Sequence, residues 1–240
     1  MKPLIMIPAR MAATRLPGKP LAEIGGKPMI VRAWEQASLS GFRVAVAAGD
    51  AEIVDAIQAA GGEAVLTDPD LPSGSDRILA AAQAVDPAGE HELIINIQGD
   101  MPFASPDLAK ACAGLLARES ACDIATLVAA EADVSDRTNP DVVKAVLALP
   151  EGEMSGRALY FTRSTLYGDG PVWRHVGVYG YRRAALERFC AAPQSPLEKR
   201  EKLEQLRALE TGLQIWASVI NEAPLSVDNP ADLEAARALV

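Results

Sequence analysis

Short apolar runs alternate along the first half of the chain with longer segments in which apolar residues recur every three or four positions. The runs predict buried strands of a parallel sheet, and the recurring positions predict amphipathic helices packed against it. Strands are predicted at 4–7, 43–48, 64–66 and 93–97, and helices at 29–41, 50–61, 75–85 and 106–119. Asp50 and Ser75 are predicted to cap the second and third helices. Regular alternation of the two predicts an α/β fold with a doubly wound, mostly parallel sheet.

The second half of the chain is less regular. Strands are predicted at 124–128, 142–147, 158–161, 176–181 and 215–220, and helices at 184–190, 196–209 and 230–240. We find no internal repeat, linker or low-complexity tract in the 240 residues, so we expect a single domain over 1–240. Within it, the segment 130–174 is expected to form a lobe or a contact between subunits.

Composition and charge narrow the class of protein. A chain that is 49% hydrophobic can build a sizeable core, and a net charge of -9 gives no electrostatic support for non-specific binding to nucleic acid. Three cysteines in no zinc-binding pattern predict reduced thiols in a cytoplasmic protein. No apolar run approaches the roughly 20 residues of a membrane span, so we expect no membrane partner.

The first predicted strand leads directly into a loop that carries three cations before the first acidic residue, Glu23. These cations are Arg10, Arg15 and Lys19, and two prolines and a glycine within 17–20 indicate a loop of fixed shape. Open α/β sheets bind ligands at the carboxyl ends of their strands. Cations this close repel one another unless an anion joins them, so the loop predicts a phosphate site. The alternative is a solvated basic loop.

Two aspartates are candidate metal ligands. Asp100 follows the strand at 93–97, and Asp228 precedes a helix that begins with Pro230. Magnesium prefers oxygen ligands, often one or two carboxylates together with substrate phosphates. If the two aspartates converge they would hold one ion, whereas separately each would be a turn or helix-cap residue. The sequence contains no dinucleotide fingerprint, P-loop or nucleophile elbow, which disfavours those three classes.

Several polar residues of the second half have both a structural and a functional interpretation. Arg163 follows a strand and would suit a carboxylate ligand. His175 precedes an apolar strand, where plain packing explains it equally well. Glu204 and Gln205 lie on a predicted charged helix, where a solvated face is the simpler interpretation.

Taken together, these segments resemble the 3-deoxy-manno-octulosonate cytidylyltransferase family. The first match is IPAR followed by RLPGKPL within 7–21, a pattern shared with many sugar nucleotidyltransferases. The more specific matches follow in the family's order at 26–30, 73–77, 96–100, 158–163, 174–181, 195–198, 203–207 and 227–234. The resemblance covers nearly the whole chain and implies a Rossmann-like nucleotidyltransferase sheet with an irregular second-half lobe.

The resemblance implies that CTP and 3-deoxy-D-manno-octulosonate (Kdo) give CMP-Kdo and pyrophosphate, with Mg²⁺ as cofactor. Arg10, Lys19 and Asp100 would be catalytic. Nucleotide contacts would come from Arg10, Lys19, Ser73, Gly74 and Gln98, and metal ligands from Asp100 and Asp228. The sugar acid would be bound by Arg163, His175, Tyr179, Glu204 and Gln205.

A homodimer and a role in lipopolysaccharide synthesis in a Gram-negative bacterium are also implied by the resemblance. One rival hypothesis is cytidylyl transfer to another acidic sugar, such as 8-amino-Kdo or a sialic acid. Another is a nucleotide-binding regulator without catalysis, which would need a broken metal site, although both aspartates are present. The chain departs from the family's usual pattern at Gly49, Met101 and Asn229, and its segment 163–173 is short.

Overall fold

The computed structural model describes residues 1–12, 15–131 and 134–240. Its contacts group Met1–Lys110 with Pro224–Val240 as unit 1, and Ala111–Ala223 as unit 2. The boundary falls within one helix, so the prediction of a single domain over the whole chain stays a prediction. The proposed lobe at 130–174 lies within unit 2, and its residues 132 and 133 are outside the described part of the chain.

Unit 1 is built on a sheet of the strands β1 (Pro3–Ala9), β4 (Arg43–Ala48), β5 (Glu63–Leu66) and β6 (Leu93–Asn96), with a short hairpin of β2 (Glu23–Ile24) and β3 (Lys27–Pro28). The four strands of the sheet are parallel, in the order β5-β4-β1-β6. Strand β1 lies between β4 and β6, and Leu4–Ile7 are fully buried. Parallel pairing brings the carboxyl ends of β1 and β6 to one edge, as predicted.

The helices of unit 1 follow the predicted positions closely. They are α1 (Met29–Ser38), α2 (Ala51–Ala59), α3 (Gly74–Val85), the start of α4 (Asp107–Arg118) and α8 (Pro230–Arg237), with a 3-10 turn at Lys19–Leu21. The prediction that Ser75 caps α3 is wrong, because Ser73 is the cap. The Ser73 hydroxyl accepts a hydrogen bond from the Asp76 amide at 3.2 Å and donates to its carboxylate at 2.7 Å.

Unit 2 contains a mixed sheet of the strands β7 (Ile124–Glu131), β8 (Lys144–Ala148), β9 (Ser155–Thr162), β10 (Val172–Arg182) and β11 (Ile215–Ile220). Their order in the sheet is β10-β7-β11-β9-β8. Strands β7 and β11 pair in parallel, whereas β10–β7, β11–β9 and β9–β8 are antiparallel. The irregularity predicted for the second half is therefore a change of strand direction.

The helix predicted at 196–209 is wrong, because two short helices replace it. Unit 2 contains a 3-10 turn at Val134–Arg137 and the helices α5 (Arg183–Ala191), α6 (Pro196–Glu201) and α7 (Gln205–Glu210). Between α6 and α7, Lys202 takes a left-handed conformation with φ 55°, which costs a non-glycine residue roughly 1–2 kcal/mol. The reversal buries Leu203 and Gln205, which a continuous solvated helix would not do.

Among the described residues, no helix combines the length and the apolar character needed to cross a bilayer.

Candidate active site

A cleft of about 420 Å³ opens at the carboxyl ends of β1 and β6 in unit 1. Small-molecule sites commonly occupy roughly 300–1,000 Å³. Its walls include every residue that the sequence predicted for nucleotide and metal: Arg10, Lys19, Ser73, Gly74, Gln98, Asp100 and Asp228. The residues come from four separate segments of the chain, and their individual roles stay predictions.

The charge of the cleft favours an anion. Among the described residues that line it, four are cations and two are carboxylates; the cations are Arg10, Arg15, Lys19 and Arg77. The N-terminus of α3 also contributes its cap, Ser73, and its first residue, Gly74, to the lining, and helix N-termini favour negative ligands. A positive cleft in a chain of net charge -9 therefore suits phosphate groups.

The loop after β6 approaches β1 closely at Gly99. A Cβ on Gly99 would lie 2.9 Å from the Ile30 side chain and 3.1 Å from the Pro8 carbonyl oxygen. Both contacts are tighter than ordinary packing, so a larger residue would require the Ile30 side chain and the loop to shift. Gly99 thereby lets Gln98 and Asp100 line the cleft.

The two aspartates converge on one ammonium group. The Nζ of Lys19 lies 2.7 Å from Asp100 Oδ2 and 3.4 Å from Asp228 Oδ1. Arg15 lies at the outer side, with its Nη2 3.3 Å from Asp228 Oδ1 and its side chain 71% exposed. The hypothesis of a shared metal site required Asp100 and Asp228 to lie close together, and in the structure both contact the same ammonium group.

Asp228 does not cap α8, so that alternative is wrong. The cap is Asn229, whose side chain accepts from the Asp232 amide at 3.0 Å. The Asp232 carboxylate in turn accepts from the amides of Asp228 at 2.8 Å and Asn229 at 3.2 Å. This reciprocal arrangement fixes the backbone at Asp228 and leaves its carboxylate facing Lys19.

The donor set fits magnesium. Two carboxylates, with side chains 22% and 44% exposed, reach a common point at the cleft wall. Among the described residues, no group of three or more histidine, cysteine or acidic side chains is arranged to hold a metal ion. A two-carboxylate site suits an ion that keeps several waters and takes substrate phosphate oxygens as its other ligands.

Three of the five residues predicted for the sugar lie together in unit 2. Tyr179, Glu204 and Gln205 line a cavity of about 20 Å³, which is room for about one water molecule. His175 is their neighbour, with its ring centre 5.3 Å from that of Tyr179. The solvated-face interpretation is wrong for Gln205, which is 7% exposed.

The structure does not bring Arg163 to this cavity. Its guanidinium donates to the carbonyl oxygen of Pro140 at 3.1 Å. Its own carbonyl oxygen accepts from the ammonium of Lys144 at 3.0 Å, and that ammonium also binds the carbonyls of Asn139 and Val142. The backbone at Arg163 is therefore fixed to the turn before β8, and its side chain lies against the same turn.

His175 is a neutral imidazole. Burial lowers its pKa from 6.5 to about 4, and its Nε2 lies 2.9 Å from the hydroxyl of Thr126. That hydroxyl has one proton, which it donates to the Val178 carbonyl at 2.9 Å. Because a carbonyl can only accept, Nε2 of His175 carries the proton and donates to Thr126, which leaves Nδ1 as an acceptor.

Sequence reasoning did not identify Arg77 as a residue of the cleft. It is 3% exposed and donates to the backbone carbonyls of Asp68 and Pro69, each at 3.1 Å. Burial lowers its pKa, and the charge of Arg10 lowers it further. A signal was available, because a cation in the first turn of a helix opposes the helix dipole and needs another reason to be there.

The fold and the cleft together define an α/β nucleotidyltransferase, with a mixed sheet and helices on both of its sides. The sequence profile of the cytidylyltransferase family matches residues 4–215. The chain belongs to this family, within the group of the 3-deoxy-manno-octulosonate cytidylyltransferases.

Its relatives match it along nearly their whole length. A 3-deoxy-manno-octulosonate cytidylyltransferase from Parvibaculum lavamentivorans is 58% identical, covering 98% of this chain and 92% of its own. The protein of the same name from Paramagnetospirillum magneticum is 53% identical, covering 99% and 97%. A solved structure of CMP:2-keto-3-deoxy-manno-octonic acid synthetase complexed with CTP is 36% identical, with a TM-score of 0.90, covering 100% of this chain and 98% of that one.

Proposed function

We propose that the protein transfers the cytidylyl group of CTP to Kdo, producing CMP-Kdo and pyrophosphate. The observation that carries the proposal is the 58% identity to a 3-deoxy-manno-octulosonate cytidylyltransferase over 98% of this chain. The size and positive charge of the cleft in unit 1 support CTP as the nucleotide. Cytidylyl transfer to another acidic sugar is the alternative that the experiment below separates.

In the proposed reaction the anomeric hydroxyl of Kdo attacks the α-phosphorus of CTP. Its oxygen forms a bond to that phosphorus, the bond to the bridging oxygen breaks, pyrophosphate leaves and the hydroxyl proton passes to solvent. Such transfers depend mainly on positioning and on stabilisation of charge at the phosphoryl oxygens. Arg10 and Lys19 are the side chains to which we assign that stabilisation, since both line the cleft.

We assign Asp100 and Asp228 as the protein's magnesium ligands. When bound, magnesium would neutralise charge on the phosphoryl oxygens. In the structure Lys19 bridges the two carboxylates and holds them on one side of the cleft. Lys19 thus has two alternative sets of anionic partners, the carboxylates and the phosphates.

For the sugar acid, we assign Tyr179, Glu204, Gln205, His175 and Arg163. The cavity of about 20 Å³ must widen to admit an eight-carbon sugar. The Arg163 guanidinium would have to leave the Pro140 carbonyl to bind the sugar carboxylate. Tyr179 would contribute a protonated phenol, because burial, with Tyr181 and Glu204 nearby, raises its pKa. We therefore propose that sugar binding involves rearrangement in unit 2.

The test is pyrophosphate release from CTP in the presence of Kdo, 8-amino-Kdo or a sialic acid, each with and without Mg²⁺. We expect turnover with Kdo to be highest and to require the metal. Faster turnover with another acid would replace the sugar in the proposal. Absence of turnover with every acid, although CTP binds, would instead favour the regulator hypothesis.

We also propose that the enzyme is a homodimer that supplies an activated sugar for lipopolysaccharide synthesis in the cytoplasm. The family resemblance is the support for this assignment. Light scattering on the purified protein should give twice the mass of one chain. A monomer that is fully active would contradict the proposed dimer.

A further inference from the structure

Asp50 occupies the N-cap position of α2 without using its side chain as a cap. Its backbone is extended, with φ -140° and ψ 144°, and among the described residues its carboxylate makes no capping bond to the helix. An aspartate at this position normally accepts from the amides of the first turn. Here its Oδ2 instead accepts from the amide of Met11 at 2.7 Å, 39 residues earlier in the chain.

The adjacent residue holds the chain on the other side of Arg10. The amide of Gly49 donates to the carbonyl oxygen of Ala9 at 2.8 Å. The residues immediately before and after Arg10 are thus each bound by one residue of the 49–50 turn. Arg10 is exposed and lines the cleft, so the turn fixes its backbone while leaving its side chain available to a ligand.

There is also little space for a side chain at Gly49 in the 49–50 turn. A Cβ on Gly49 would lie 2.9 Å from Nη1 of Arg77 and 3.1 Å from Cβ of Arg10. Arg77 has little freedom to withdraw, because it is bound to the carbonyls of Asp68 and Pro69. The charge of Asp50 also opposes the effect of Arg10 on the pKa of Arg77. Asp50 is therefore close enough to offset part of the repulsion between the two guanidinium groups.

We propose that Asp50 is a positioning residue for the nucleotide: its carboxylate binds the Met11 amide and so holds Arg10 where the triphosphate binds. The inference rests on the proposed function, which assigns a triphosphate to Arg10. Asp50 acts through the backbone of the loop and does not itself touch the substrate. Holding the loop in advance lowers the entropy lost on binding, which appears as affinity for the anion.

Two substitutions separate this role from simple stabilisation. Asp50→Ala removes the acceptor and should raise the KM for CTP roughly tenfold or more, as expected for loss of a charged hydrogen bond. The KM for Kdo should remain within about twofold. Asp50→Asn keeps an oxygen acceptor but loses the charge, so it should recover part of the affinity. Dissociation constants for CTP and for inorganic tripolyphosphate, measured by calorimetry, should follow the same order.

Ser105→Ala is the matched control, because the Ser105 hydroxyl accepts from the Asp107 amide at the start of α4. It should lower the melting temperature without changing the KM for CTP. If Asp50→Ala behaves like this control, or if Asn does not recover affinity, the positioning role is wrong. If the wild-type protein binds tripolyphosphate more tightly than Asp50→Ala does but transfers no cytidylyl group, only the proposed function is overturned. Wild-type protein that binds neither anion would overturn both.

Discussion

The amide of Val227 donates a hydrogen bond of 2.9 Å to the carbonyl oxygen of Asp100. Through this bond the backbones that carry Asp100 and Asp228 are directly connected. Val227 is fully buried in an apolar cluster that also contains Ile24 and Met29. Core packing of unit 1 therefore holds together the two backbone segments that carry the proposed metal ligands.

Asp100→Asn and Asp228→Asn should each remove most of the activity and weaken the binding of Mg²⁺, measured by titration in the presence of CTP. The double variant should lose little more than either single one, because residues that act as a unit are not additive. Asp107→Asn, at an exposed carboxylate paired with Lys110, is the control and should keep full magnesium affinity.

The melting temperature of these variants tests a different point. The carboxylates would repel each other if unpaired, but the Lys19 ammonium lies between them, so no gain in stability is expected. A loss of about 1 kcal/mol or less is expected, because both pairs are partly exposed. An Asp228→Asn protein that is unstable yet fully active would reduce Asp228 to a structural residue.

Lys19→Ala should lower kcat by roughly two to three orders of magnitude, as for other groups that stabilise developing charge. Arg15→Ala should have a much smaller effect, because its side chain is 71% exposed. The pair is informative because both cations contact Asp228. Steady-state kinetics measure kcat for both variants, and circular dichroism checks that each is folded. Equal losses of kcat in Lys19→Ala and Arg15→Ala would contradict the separate role proposed for Lys19.

The sequence predicted unit 1 well because its signals are local. Strands such as Arg43–Ala48 are apolar runs bounded by polar or glycine residues, and the parallel-sheet rule then brings Asp100 beside the basic loop. Unit 2 was predicted less well. No glycine or proline marks Lys202, where two helices meet, and the break depends on burial of Leu203 against the rest of the unit. Such a tertiary effect has no local signature.

The candidate site was predictable where a residue's type suggests its partner. Lys19, Asp100 and Asp228 carry charges that require counter-ions, and they lie together. Asp50 was predicted as a helix cap from its position, yet it accepts from the Met11 amide instead. The amides of the helix and of Met11 are donors of equal chemistry, so the sequence cannot show which of them the carboxylate binds. Arg163 was placed by family resemblance, and the structure shows it bound to the Pro140 carbonyl.

Arg207→Met should destabilise the protein by about 3–5 kcal/mol, the cost of leaving a buried carboxylate unpaired. Arg207 is 4% exposed, and its Nε lies 3.2 Å from the buried carboxylate of Glu198. The guanidinium also lies over the Phe189 ring at 4.3 Å, so packing is lost as well. Urea unfolding measures the change. Arg207→Met combined with Glu198→Gln should recover part of it, and failure to recover any would assign the loss to packing alone.

The stability of the protein should fall in weakly acidic solution because of His175. Its pKa is about 4 in the folded chain, against an ordinary value of 6.5. Above pH 6.5 both states are neutral at this residue, and the histidine contributes no pH dependence. Between pH 6.5 and 4, His175 is protonated in the unfolded chain but remains neutral in the folded chain. The free energy of unfolding therefore decreases as the pH is lowered from 6.5 to 4, by on the order of 3 kcal/mol in total.

His175→Gln isolates this contribution. Its amide can still donate to the Thr126 hydroxyl but does not titrate, whereas His91 and every carboxylate are common to both proteins. Urea unfolding at pH 7.5, 6 and 5 should show the wild-type protein losing stability faster than the variant as the pH is lowered. Parallel losses in the two proteins would mean that His175 is not held neutral. The assignment of a neutral His175 to the proposed sugar site would then be wrong.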